Sequence, residues 1–293
     1  MRLVKCLSSV VLIGTALCYS GCASFDRIAK FPNPKNDSKV AVVSKPMSKM
    51  NELPIGAYYD GQRQIIVTGH QKGLLTGMLF GVVGVIVADQ VNKSSGKDKF
   101  GDEAAQSETD LVTLTQTQVE QLEAEGKAPH WRLSDATMAN LRLSPYAVFT
   151  VDKKTGLARL YAMLRAEIPG TDGKPTWSGR YFARAPGEYL LDGEDGWMSQ
   201  GRFVDGMEMA LERVLKVCVA DTNGTLMEGR KITAKGRFAY LNIDLELRGI
   251  VVDETPDTII ARLLVGDVMV MAGTHVLDRA DFEIKAADFK DPR

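Results

Sequence analysis

Residues 200–220 read QGRFVDGMEMALERVLKVCVA, and this stretch decides the fold of the chain. Its apolar side chains recur at helical spacing and form a stripe about 120° wide at about 100° per residue. The stripe consists of Phe203, Met207, Ala210, Leu211, Val214, Val217 and Cys218. The other side of the same helix carries Asp205, Glu208, Glu212 and Lys216. The pattern predicts an amphipathic helix that covers an apolar surface and ends at Asp221–Gly224.

The sequence before this helix supplies the surface to be covered. After Pro145, β-type patterning predicts strands over 146–151, 157–168 and 177–185, with a turn at Lys153–Gly156. Such a meander has an apolar face that needs a covering layer. After the helix, further strands are expected over 231–239, 244–252, 258–265 and 268–277. Residues 145–285 are therefore predicted to form an α+β domain of antiparallel sheet with a packed helix, followed by a charged tail, 286–293.

The N-terminal region, residues 39–144, has weaker signals. Short β-type runs predict strands at 39–44 and 64–68, the second after a turn at Asp60–Gly61. Good helix formers from Glu108 to Glu125 predict a helix that Gly126 ends. Ser134–Asp135 are expected to cap a further short helix that runs to Leu141.

The first 21 residues have the pattern of an export signal. Arg2 and Lys5 precede an apolar run from Cys6 to Tyr19, which is too short to span a bilayer. The sequence Tyr19-Ser20-Gly21-Cys22 follows, with two small residues before a cysteine. It resembles the lipobox of bacterial lipoprotein precursors, although Tyr19 stands where an aliphatic residue is usual. The resemblance implies cleavage before Cys22 and a diacylglyceryl group, with palmitate, on its sulfur. An ordinary cleaved signal and a buried N-terminal helix are the alternatives.

The same resemblance implies a location for the protein. Ala23, rather than Asp, follows the cysteine, which favours retention in the cell outer membrane, facing the periplasm. Residues 22–38 are rich in Lys, Asn, Pro and Ser and are expected to form a tether. Removal of residues 1–21 leaves 272 of 293 residues, and the loss of Arg2 and Lys5 takes the net charge from −1 to −3. That balance argues against a nucleic-acid partner.

Residues 73–88, GLLTGMLFGVVGVIVA, contain no charged side chain. Their glycines Gly73, Gly77, Gly81 and Gly84 would form one small-residue stripe on a helix, which allows close packing against another backbone. The segment resembles the glycine zippers of bacterial envelope proteins. We expect a Gly-rich apolar helix, either buried in the domain or contacting membrane or a second copy of the chain. Two buried strands with a glycine bend are the third interpretation.

No sequence motif indicates a catalytic, cofactor or metal site. Nucleophile-elbow, phosphate-loop, dinucleotide and zinc-protease motifs are missing from the sequence. Cys218 lies on the apolar stripe and is expected to be buried, and the acidic run Asp192–Asp195 is expected to be a turn. His275 is expected to be a hydrogen-bonded residue at a strand end, beside an Asp278–Arg279 surface pair. Trp131, Trp177 and Trp197 are expected in the core.

These features suggest a noncatalytic role. The order of strands and helix over about residues 145–250 resembles small α+β domains of periplasmic assembly and transport-auxiliary lipoproteins. The favoured hypothesis is a lipoprotein anchored through Cys22 that binds or scaffolds an unidentified envelope protein. A membrane-active or self-assembling protein, with a homo-oligomer formed through residues 73–88, is the second hypothesis. An envelope hydrolase with a site near His275 is the third.

Overall fold

The computed structural model describes residues 30–32, 34, 36–47, 52–54, 57–69, 109–199, 201–264 and 269–290. Within those ranges the chain is a mixed α+β structure with one large, mostly antiparallel sheet and two helices. The helices are α1 (Leu111–Ala124) and α2 (Arg202–Thr222). The strands are β1 (Ser38–Val42), β2 (Tyr58–Asp60), β3 (Ile65–Thr68), β4 (Trp131–Leu133), β5 (Leu141–Val151), β6 (Ala158–Pro169), β7 (Pro175–Arg184), β8 (Lys231–Arg237), β9 (Asp244–Glu254), β10 (Thr258–Leu264), β11 (Gly273–Asp278) and β12 (Phe282–Ala286).

The strands pair in the order β12-β8-β9-β10-β11-β7-β6-β5-β1-β4. The first part of β5 pairs with β1 and the second part with β3, which also pairs with β2. Pairing is parallel where β1 meets β4 and β5, where β3 meets β5, and where β7 meets β11. Strands β1, β3 and β4 therefore share one sheet with the strands that follow residue 145.

The predicted meander is confirmed as β5, β6 and β7. Gly156 has a φ of 75° in the turn between β5 and β6, a left-handed conformation that glycine adopts without strain. The central strands are buried on both faces, since nearly every residue of β5 and β6 is shielded from solvent. A two-faced sheet of this kind needs a covering layer on each side.

The helices provide the first layer. All seven residues of the predicted stripe of α2 are buried, whereas its four charged residues on the other side are exposed. The predicted helix α1 is also confirmed, with Asp110 as its N-cap and Gly126 in a left-handed conformation after its end. Together they enclose the helix-side core, which includes Leu143, Phe149 and Leu160 from the sheet.

The second layer is the sheet itself. Strands β8–β11 curl over the other face of β5–β7 and enclose the strand-side core, which includes Val148, Met163, Phe182 and Ile259. Two hydrogen bonds attach Tyr240, in the loop between β8 and β9, to β3 and β5. The Thr68 hydroxyl donates to the Tyr240 carbonyl at 2.7 Å, and the Tyr240 amide donates to the Thr150 hydroxyl at 3.1 Å.

Three expectations differ from the structure. The short helix from Ser134 to Leu141 was wrong, because Leu141–Leu143 pair with β1 as the beginning of β5. The strand expected at 268–277 begins only at Gly273, after a single 3-10 turn over Met269–Met271. Strand β12, which pairs with β8, includes Ala286, the first residue of the predicted charged tail.

The predicted lipid site Cys22 and the glycines of segment 73–88 lie outside the described residues. Among the residues that are described, no helix has the length and apolar character needed to cross a membrane.

Gly206 provides a test of packing under α2. A Cβ at this position would lie 2.7 Å from the ring of Trp197, whose indole N–H donates to the Ala158 carbonyl at 2.7 Å and so holds the ring in place. We expect Gly206→Ala to lower the free energy of unfolding by about 1–2 kcal/mol, because overpacking outweighs the helix propensity of alanine. Met209→Ala, at an exposed position of the same helix, should change it by less than about 0.5 kcal/mol. Urea denaturation measures both, and a stabilised Gly206→Ala variant would contradict this packing.

Candidate functional site

His275, the residue of the hydrolase hypothesis, is a buried core residue of β11. Its ring stacks on Phe182 with 4.4 Å between centroids, and its Nε2–H donates to the Met271 carbonyl at 2.8 Å. Because only 3% of the residue is exposed, a charged imidazole would lose its hydration, and burial lowers the pKa of His275 to about 4. The expected hydrogen bond of His275 is confirmed, but the residue lies within β11 rather than at a strand end.

The expected Asp278–Arg279 pair was wrong, since the two side chains bind different partners. Asp278 accepts a hydrogen bond from Arg213 of α2 at 3.1 Å, whereas Arg279 donates to Glu254 at 2.6 Å. Asp278 is the last residue of β11, whereas Arg279 lies in the turn that follows it.

Cys218 is fully buried, as expected, and burial raises the pKa of its thiol well above the usual range. One helical turn later, Asp221 accepts hydrogen bonds from Arg262 and from the Tyr181 hydroxyl, each at 2.8 Å. Burial raises the pKa of Asp221, and its two donors oppose that rise. These contacts join α2 to β7 and β10 and give the carboxylate a structural role.

A second buried ion network joins β6 to Lys45 and Glu52. Arg165 donates to Glu167 at 2.8 Å and also pairs with Glu52, while Lys45 donates to Glu167 at 2.6 Å. The Arg180 guanidinium donates to the Val270 carbonyl at 3.1 Å. Each of these charges has a partner, so the network satisfies buried groups in the sheet.

An open cleft at the other end of β6 and β7 is the best candidate for a binding site. It has a volume of about 410 Å³, and eight of its ten lining residues are charged. We call it the charged cleft. Its lining consists of Arg159, Arg184, Glu188, Lys235, Gly236, Arg237, Asp244, Ala280, Asp281 and Glu283. Its lining side chains come mainly from β6 and β7 on one side and from β8, β9 and β12 on the other.

Ion pairs hold the charged side chains in position. Arg184 donates to Asp281 at 2.7 Å and to Glu188 at 3.1 Å. Arg159, with 2% exposure, lies 3.4 Å from Glu188 and donates to Asn242. A guanidinium that is buried and held in this way loses little further conformational freedom when a ligand binds.

The arginines of the cleft include one donor without a partner in the described part of the chain. The Nε–H of Arg184 is buried and has no hydrogen-bond partner within the described structure. Lys235 is exposed at the rim beside Glu283 of the neighbouring strand. Four cationic and four anionic side chains line the cleft, so it offers both donors and acceptors without an excess of either charge.

The four cleft carboxylates are engaged by cationic side chains. Glu188 and Asp281 pair with Arg184, Asp244 lies 3.3 Å from Arg237, and Glu283 lies 2.6 Å from Lys285. The ion pair with Lys285 lowers the pKa of Glu283. These ion pairs place all four carboxylates next to cationic side chains.

No group of three or more His, Cys, Asp and Glu side chains able to hold a metal ion occurs among the described residues. No family model matches the sequence, and the comparisons with curated proteins and with solved structures found no match either.

The sequence analysis missed the charged cleft. The available signal was the presence of Arg159 and Arg184 in predicted strands of the sheet, since a cation shielded from water requires a partner. The three tryptophans are buried, as expected, and the acidic run Asp192–Asp195 is an irregular turn region.

The buried imidazole predicts a specific pH dependence. In the unfolded chain His275 binds a proton near pH 6.5, whereas in the folded chain it does so only near pH 4. Its contribution to stability is therefore present above pH 6.5 and is lost as the pH falls toward 4, by about 2 kcal/mol at pH 5. The variant His275→Phe lacks this titration, so the difference in unfolding free energy from the wild type should shrink by that amount between pH 7 and pH 5. Urea denaturation at both pH values measures it, and a constant difference would contradict a buried neutral His275.

Proposed function

We propose that the protein is a lipid-anchored binding protein of the cell outer membrane that faces the periplasm. In this proposal Cys22 carries the anchor, and the charged cleft is the noncatalytic binding site. The observation that supports it most is the cleft itself: an open cavity in which the buried Arg159, the partly buried Arg184 and the paired carboxylates are already ordered. The lipobox residues Tyr19–Cys22 support the anchor.

The chemistry of the cleft favours an envelope protein as the partner. A polyanion would require an excess of cationic groups, whereas the four cations and four anions here balance one another. A protein segment that carries both charges can exchange ion pairs with the cleft and can hydrogen-bond to Arg184. Such binding depends on the placement of each charge and weakens as salt screens it.

Photocrosslinking in the producing cells tests this proposal. A photoreactive amino acid replaces Lys235 at the rim of the cleft or, as a control, Glu120 on the exposed side of α1. We expect discrete adducts with one or a few envelope proteins from position 235, identified by mass spectrometry, and none of these adducts from position 120. Both positions are exposed, so neither replacement should disturb the fold.

A charge reversal adds a second comparison. Arg237→Glu changes a partly exposed cleft residue, whereas Arg132→Glu changes an exposed arginine on β4. The adducts at position 235 should fall at least tenfold with Arg237→Glu and stay unchanged with Arg132→Glu. Adducts that are equal in all variants would contradict binding at the cleft. Adducts only between copies of this chain would favour the self-assembly hypothesis instead.

A further inference from the structure

The chain is fixed to the body from Lys30 onward, within the span predicted as a tether. Phe31 is 7% exposed and packs edge-on against Trp177, with ring centroids 5.1 Å apart. Lys30 lies 3.6 Å from the carboxylate of Glu228. Pro34 packs against Gly224, the glycine that follows α2. The N-terminal chain therefore joins the body at the C-terminal end of α2.

The distance from this junction to the lipid is short. Only seven residues, Ala23–Ala29, separate Cys22 from Lys30, and a fully extended chain covers about 28 Å over that interval. Helix α2 has 21 residues and is about 30 Å long. The N-terminal end of α2 therefore lies about as far from the junction as the fully extended chain would reach, whereas its C-terminal end lies next to it.

The surface beside the junction has the character of a membrane-contacting surface. Met227, in the loop after α2, is 76% exposed, the highest value among the large apolar side chains of the described structure. Lys30 and Arg230 lie near it with 57% and 42% of their side chains exposed, and their partners are Glu228 and Glu254. A flexible apolar side chain flanked by long cationic ones suits the boundary between headgroups and acyl chains.

We propose that this end of the body rests on the lipid leaflet, with Met227 in contact with the lipid, and that the charged cleft faces away from it. The proposal depends on the lipidation of Cys22 put forward above. Arg184 of the cleft is seven residues along β7 from Trp177, which corresponds to about 23 Å of strand. The leaflet thus holds the body at one end, and the binding site is accessible to partners at the other.

Lipid-dependent quenching of a fluorophore tests this orientation. The chain offers a matched pair of exposed apolar positions at the two ends of α2: Met227 near its end and Leu190 near its start. Two contacts place Leu190 near the start of α2. The Trp197 amide donates a hydrogen bond to the Leu190 carbonyl, and the guanidinium of Arg202, the first residue of α2, lies over the ring of the neighbouring Tyr189. Met227→Cys and Leu190→Cys each provide one reactive thiol, since Cys218 is fully buried and Cys22 carries the lipid.

The lipidated full-length protein is placed in vesicles of phosphatidylethanolamine and phosphatidylglycerol that contain spin-labelled lipid. We expect quenching of the label at position 227 to be at least threefold stronger than at position 190. Equal quenching, or stronger quenching at position 190, in protein that floats with the vesicles would overturn the orientation alone. Wild-type protein that does not float with vesicles would overturn the lipid anchor and, with it, this proposal.

Discussion

The burial of β5 and β6 on both faces is the constraint on which the rest of this structure depends. Alternate side chains of β5 enter different cores: Phe149 packs toward the helices, and Val148 packs toward the curled strands. Neither face can be left to solvent, so the chain needs two covers of different origin. Helices α1 and α2 supply one, and the curl of β8–β11 supplies the other. The bonds of Tyr240 to Thr68 and Thr150 attach the end of that curl.

The same constraint accounts for the location of the charged cleft. A charged side chain within a sheet that is covered on both faces is stable only if it is paired or reaches the rim. Arg159 and Arg184 reach the rim where the curled strands separate from the meander, and there they meet Glu188, Asn242 and Asp281. Ion pairs that stabilise the fold therefore also line an accessible cavity at one end of the sheet.

Local sequence signals predicted the parts of the fold that local physics determines. The stripe of α2, the turn at Gly156 and the stop at Gly126 follow from helical periodicity and from glycine's access to positive φ. The signal failed at Ser134–Leu141, where pairing with β1 outweighed a capping pattern. The strand-side core and the charged cleft could not be predicted in this way. Both depend on contacts between residues far apart in the sequence, such as Arg159 with Asn242 and Arg184 with Asp281.

The proposed anchor and the fold support one account, in which a short chain holds one end of the body at the leaflet and leaves the other end to bind. Lipidation of Cys22 is the central claim of this account. Mass spectrometry of the N-terminal peptide from the membrane fraction tests it most directly. The account predicts a peptide that begins at Cys22 and carries a diacylglyceryl group on its sulfur. A mature N-terminus elsewhere, or an unmodified Cys22, would contradict it.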